Sequence, residues 1–152
     1  MKYNKLSLIT DINGIPFNIG IYGGNIHDST ILLDQLKSEN IVNVNSIDCK
    51  GIIGDKYFLA DSGYDTIEIK KNISKLGMTY LIPQNRRKTK DPCKIKKFTK
   101  REYKKYKKRI KVEHIFGRLK TDKKILTRYE RHNDSFLNFI YLHFIKILKG
   151  IQ

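Results

Sequence analysis

KYFLADSGYDTIEIKKNISKLGMTYLIP, residues 56–83, reads as strand, turn, helix and strand, and that alternation decides the fold class. Residues 56–60 form a short buried strand that delivers Asp61 at its end. Ser62-Gly63-Tyr64 turns the chain, and Asp65 or Thr66 caps a helix reaching Leu76. Gly77 fits the position just past that helix end. Residues 79–82 make another buried strand, stopped by Pro83.

Upstream, residues 5–10 and 15–22 read as strands joined at Asp11-Ile-Asn13-Gly14, because Asn-Gly favours the primed hairpin turn. Ile15, Phe17, Ile19 and Ile21 alternate onto one face. Gly23-Gly24-Asn25 ends the second strand, and Asp28 or Ser29 caps a helix to about Glu39. Residues 40–55 are a polar loop and residues 84–99 a basic one. A long helix is expected over 100–120, extending toward Arg128, and a last amphipathic helix, capped by Asn133 or Asp134, runs to about Leu148. The order β-β-α-β-α-β-α-α predicts an α/β domain, a mixed sheet flanked by helices, with sites gathered at strand ends.

The 152 residues suffice for one domain. Hydrophobic content is 39% and charged content 30%, with 31 Lys and Arg against 15 Asp and Glu, a net charge of +16. That imbalance predicts a polyanionic partner, nucleic acid before an anionic membrane. No apolar run of about 18 residues and no signal-peptide pattern occurs, so a soluble intracellular chain, in cytoplasm or nucleoid, is expected. Cys49 and Cys93 lie in no CxxC, and the four histidines are scattered, which gives neither a zinc pattern nor a disulfide framework.

Within the long helix, Tyr106, Arg109, Glu113 and Lys120 project at about 0°, 300°, 340° and 320°, one narrow stripe. Val112, Ile115, Phe116 and Leu119 fall between about 180° and 280°, so the charged stripe borders the apolar face. The bland reading is a solvated helix face. The sharper one pairs Glu113 with Asp61: two hard carboxylates that suit Mg²⁺ or Mn²⁺, while Arg109 and Lys120 hold a phosphate. Two such ions serve phosphoryl transfer, a chemistry that ordinarily draws on at least three carboxylates. Asp61 alone also suits a strand-terminal turn, Asp28 a helix cap and Asp11 the Asp-x-Asn-Gly turn.

The spacing Tyr106-x2-Arg109-x3-Glu113-x6-Lys120 resembles the Tyr-Arg-Glu-Lys signature of insertion-sequence DDE transposases. Leu59-Ala-Asp61-Ser-Gly-Tyr-Asp65 is similar to the block carrying that family's second catalytic aspartate. Asp11-Ile-Asn-Gly14, Asn25-Ile-His-Asp28-Ser29 and Leu81-Ile-Pro83-Gln-Asn85-Arg86 resemble its intervening blocks. The resemblance implies an RNase H-like fold and DNA transposition by metal-dependent strand cleavage and strand transfer. It makes Asp61 and Glu113 the second and third carboxylates of a metal-binding triad, and places Tyr106, Arg109 and Lys120 on transposon-end DNA.

By the same resemblance, the first aspartate lies on a first, central strand that precedes the hairpin. Asp11 does not substitute for it, since only one strand separates it from the first helix. The expectation is therefore a partial RNase H-like catalytic domain over 1–152, without its first strand or the N-terminal DNA-binding domain. Such a piece would pair through the gap, as a homodimer or with a complementing N-terminal fragment. A non-catalytic basic DNA-binding remnant and a related RNase H-like nuclease are the alternative readings.

Overall fold

The structure, a computed structural model, describes residues 4–38, 56–88, 95–127, 130 and 132–150. The loop expected at 40–55 and both cysteines lie outside these residues. The chain is mixed α/β and divides into two compact units, Met1–Gly24 with Ile110–Gln152, and Asn25–Arg109.

In the first unit β1 (Asn4–Thr10) pairs antiparallel with β2 (Pro16–Gly23). The connecting turn differs from the primed one expected. Gly14 N–H donates to Asp11 O at 3.2 Å, and Gly14 alone takes a positive φ, +94°. A primed turn needs Asn13 left-handed as well. Instead Asp11 Oδ1 accepts from Asn13 N at 2.8 Å and Ile15 N at 2.6 Å, so the aspartate gathers the loop's own amides. Ile19 and Ile21 pack against the core as the alternation required, whereas Ile15 and Phe17 at the turn end are exposed.

Three helices complete this unit: α4 (Ile110–Leu119), α5 (Lys123–Leu126) and α6 (Asn133–Lys149). Phe136, Ile140 and Phe144 recur every fourth residue, so α6 lays one stripe onto Ile115 and Leu119 of α4. Leu6 and Leu8 of β1 and Ile19 and Ile21 of β2 close that cluster from the sheet side. Neither Asn133 nor Asp134 is the cap of α6. His132 holds that position, without a side-chain cap bond.

The second unit contains a parallel pair, β3 (Tyr57–Leu59) and β4 (Thr79–Leu81), joined through α2 (Ile67–Lys75). Thr66 caps α2 by accepting from Ile69 N, and Gly77 lies just past its end with φ +70°. Ile69 and Ile73 of α2 are wholly buried, as are Ile31, Leu32 and Leu36 of α1 (Asp28–Lys37) to within a few per cent. The cap of α1 is His27, whose Nδ1 accepts from Ser29 N, rather than Asp28 or Ser29. Asp28 instead sits in the first turn, where a negative charge faces the helix's positive end. Among the described residues the four strands form two separate two-stranded sheets, not one mixed sheet.

The long helix is also divided. The α3 helix (Lys100–Tyr106) opens with a capping box, in which Thr99 and Glu102 satisfy each other's backbone amides, and a 3-10 turn at Lys107–Arg109 separates it from α4. Electrostatics favours the break there. It places Lys104, Lys105 and the three following cations at a helix C-terminus, and Glu113 in the first turn of the next helix. An unbroken helix would have stacked like charges at i, i+3 and i+4.

Core truncation should follow the burial. Ile140→Ala, at a position with no exposure, is expected to cost about 2–5 kcal/mol by denaturant titration, whereas Leu142→Ala on the exposed side should change stability little. Asp122 is held below the ordinary carboxylate range, first by the Lys124 amide at the start of α5 and then by His143. Its folded value is depressed, so its contribution is present above the unfolded carboxylate value and is lost as pH falls through the folded one. The acid limb of the stability curve should therefore shrink in Asp122→Asn.

Candidate functional site

Strand β3 ends at Leu59, and Asp61 leaves the sheet two residues later with its side chain exposed. Its Oδ1 accepts from Ser62 N at 2.5 Å, capping the 3-10 turn Ser62–Tyr64, and its main-chain oxygen accepts from Tyr64 N at 3.0 Å. The turn function and the proposed chemical one thus coexist. One oxygen shapes the backbone, and Oδ2 has no donor among the described residues.

Tyr64 ends the same 3-10 turn. Burial pushes its phenol above the ordinary value of 10.0, and the charges of Asp28 and Asp61 add to the effect. Asp28, from the start of α1, therefore shares an electrostatic neighbourhood with Asp61.

Asp65 is the residue whose role the sequence did not disclose. It is 9% exposed, pairs with Lys70 of α2, and accepts from Asn85 N at 2.8 Å. That bond ties the loop after β3 to the loop after β4. Asn85 lies 20 residues away in sequence, so no capping or turn pattern could have revealed that bond. Lys70 also sits over the Tyr80 ring at 5.4 Å, joining helix, strand and loop.

Of the stripe residues, the structure brings Tyr106 and Arg109 together in the second unit. The guanidinium lies 5.8 Å from the Tyr106 ring centroid, and Phe98 packs on the same ring at 5.2 Å. Both side chains are half-buried, which orders a cation at the surface. Lys105 covers Tyr57 of β3 at 3.7 Å, docking α3 against the sheet. Glu113 and Lys120 belong to the first unit and are exposed, Glu113 in the first turn of α4 and Lys120 just past its end. The 3-10 turn interrupts the α-helical repeat between the two pairs.

Among the described residues no three His, Cys, Asp or Glu side chains gather closely enough to hold a metal ion. Asp61 and Glu113 are each exposed and carry hard oxygen donors, the ligand type that Mg²⁺ takes. No helix of the described residues is long and apolar enough to cross a membrane.

The family model described as transposase DDE domain matches residues 2–148. Comparison with curated proteins and with solved structures gives no match.

The Tyr64 neighbourhood is open to titration. The phenol should ionise later than the exposed tyrosines by ultraviolet absorbance, with Tyr64→Phe identifying the step. Asp61→Asn and Asp28→Asn should each move it back toward 10.0. Because the folded value is the raised one, the fold should lose stability as pH climbs past the ordinary phenol value, and Tyr64→Phe should remove that loss.

Proposed function

The chain belongs to the transposase DDE domain family, and from that premise we propose that it serves DNA transposition through metal-dependent strand cleavage and strand transfer. The observation that carries the reading is the position of Asp61: an exposed carboxylate at the end of a parallel strand, with one oxygen holding its own turn and the other open to solvent.

Transposases act on DNA, and the family uses a divalent metal. Asp61 and Glu113 would hold Mg²⁺ or Mn²⁺ as the second and third carboxylates of the triad. When bound, such an ion activates a water or 3′-hydroxyl and stabilises the leaving oxygen. The chain's own residues supply the rest. The neutral Tyr64 phenol lets a phosphodiester approach Asp61 with less repulsion than a third anion would impose. Arg109, ordered against Tyr106, offers a planar fork to a phosphate, and Lys120 adds a point charge.

An RNase H-like arrangement is part of the proposal. It is supported by the antiparallel hairpin, the β3–α2–β4 unit and the acidic residue at the β3 end. Among the described residues each sheet has two strands, and two strands alone rarely stand in water. Association through a sheet edge, with a complementing N-terminal fragment or a second copy, is part of the same proposal. A soluble location in the cytoplasm or nucleoid, where the DNA lies, goes with this reading.

A non-catalytic, basic DNA-binding remnant is the second reading. The net charge of +16 favours it. A related RNase H-like nuclease with another metal arrangement is the third.

Nicking of supercoiled plasmid in Mg²⁺ or Mn²⁺ separates the readings. The transposase reading expects cleavage that Asp61→Ala and Glu113→Ala each reduce to background while DNA binding persists. Salt-sensitive binding without cleavage, even after an N-terminal segment carrying an Asp strand is supplied, would instead establish the remnant. Cleavage surviving both substitutions sinks the ligand assignment. A cooperative, monomeric thermal transition at ordinary mesophilic temperature would count against association through a missing strand.

A further inference from the structure

Arg86 and Arg87 occupy a 3-10 turn, Arg86–Lys88, on the loop that follows β4. Side-chain bonds fix the backbone of that loop around them. Asp65 Oδ2 accepts from Asn85 N at 2.8 Å, and Asn85 Oδ1 accepts from Arg87 N at 3.0 Å. Gln84 Oε1 accepts from Lys96 N at 3.0 Å, closing the loop at its base. A loop that only connected two elements would not need a buried, long-range carboxylate to place it.

The position so fixed is the same sheet end that carries Asp61. Leu59 of β3 pairs with Leu81 of parallel β4, so the chain leaves the two strands side by side. Asp61 follows one strand and Gln84–Arg87 the other, with Asp65 bonded across. Both guanidinium groups are exposed, and neither has a hydrogen-bond or ion-pair partner among the described residues. Adjacent strand ends in α/β sheets are where ligands gather. Paired guanidinium forks match the geometry of a phosphodiester and bind it more specifically than lysines do.

We propose that Arg86 and Arg87 are a phosphate-binding arm for the DNA strand lying at Asp61, and that Asp65 is the positioning residue that holds the arm there through Asn85. The ligand is a backbone phosphodiester, read for charge and geometry and not for base sequence. The inference rests on the DNA-processing reading given above. It adds a site distinct from the Tyr106, Arg109 and Lys120 set.

The test is the salt dependence of binding to a short mixed-sequence duplex. For the unaltered chain the logarithm of affinity should fall linearly with the logarithm of salt. Replacing each arginine by Ala should shrink that slope by about 0.9, the contribution of one phosphate contact. Asp65→Ala should shrink it in the same direction. Added to the Arg86→Ala/Arg87→Ala double variant, Asp65→Ala should cause no further loss of affinity, because residues acting through one another are non-additive. If Asp65→Ala fails to fold by circular dichroism, Asn85→Ala enters the same cycle, since it removes the acceptor for the Arg87 amide and leaves the Asp65–Lys70 pair in place. A slope unchanged by the arginine substitutions overturns the arm while leaving DNA binding intact. Full additivity of the Asp65 variant overturns the positioning role. A chain that binds no duplex at any salt overturns this proposal and the functional reading together.

Discussion

Three cross-strand pairs, Tyr57↔Thr79, Phe58↔Tyr80 and Leu59↔Leu81, hold in register the strand ends on which the candidate site depends. So short a parallel ladder has little stability of its own. It persists because other elements bear on it. Thr79 N–H extends the ladder by donating to Lys56 O at 2.8 Å, and α2 closes the crossover with Ile69 and Ile73 fully buried. Lys105 lies over Tyr57 and Lys70 over Tyr80, so each strand begins or centres on an aromatic ring covered by a helix-borne cation. The spacing between Asp61 and the Asn85 loop is therefore a property of the whole second unit.

A second constraint is the shortage of acidic residues, 15 against 31 basic ones. Several of those acids serve backbone amides. Asp11 organises the hairpin turn, Asp61 the turn after β3, Asp65 the loop after β4, Glu102 the start of α3 and Asp122 the start of α5. Carboxylates placed at amides and helix N-termini give well-directed, charge-assisted bonds. They also leave a large cationic surplus, a charge distribution that attracts polyanions at long range. Local backbone structure and that long-range field thus follow from one distribution of charge.

Where the sequence was legible, the signal was periodicity or a terminal residue. The strands, Thr66 as cap, Gly77 past its helix, and the apolar face of Ile115 and Leu119 all follow from spacing. The capping box at Thr99 and Glu102 is an equally local signal. What escaped was of another kind. The break at Lys107–Arg109 arises from charges competing over two helix ends, although every residue there is a good helix former. The primed turn gave way because Asp11, outside the Asn-Gly pair, captured the loop amides. The histidine caps at His27 and His132 occupy positions where Asp and Asn neighbours are statistically favoured. For the candidate site, the place of Asp61 just past a strand was readable from the sequence. Its link through Asp65 to Asn85 spans 20 residues and has no local signature.

The first compact unit is discontinuous, since the hairpin of residues 4–23 packs on helices that begin at Ile110 and end with the last described turn. Gly14 shows how intimate the union is: a Cβ there would lie 2.9 Å from the Cδ1 of Ile115. During synthesis the hairpin leaves the ribosome first and waits roughly a hundred residues for its partners, about 5–20 s at ordinary elongation rates. The intervening unit has its own core and can form in that interval. Until α6 arrives, Leu6, Leu8, Ile19 and Ile21 stand on an uncovered two-stranded ribbon. Folding of this unit is therefore vectorial, and its core closes only after Phe144 has emerged from the ribosome.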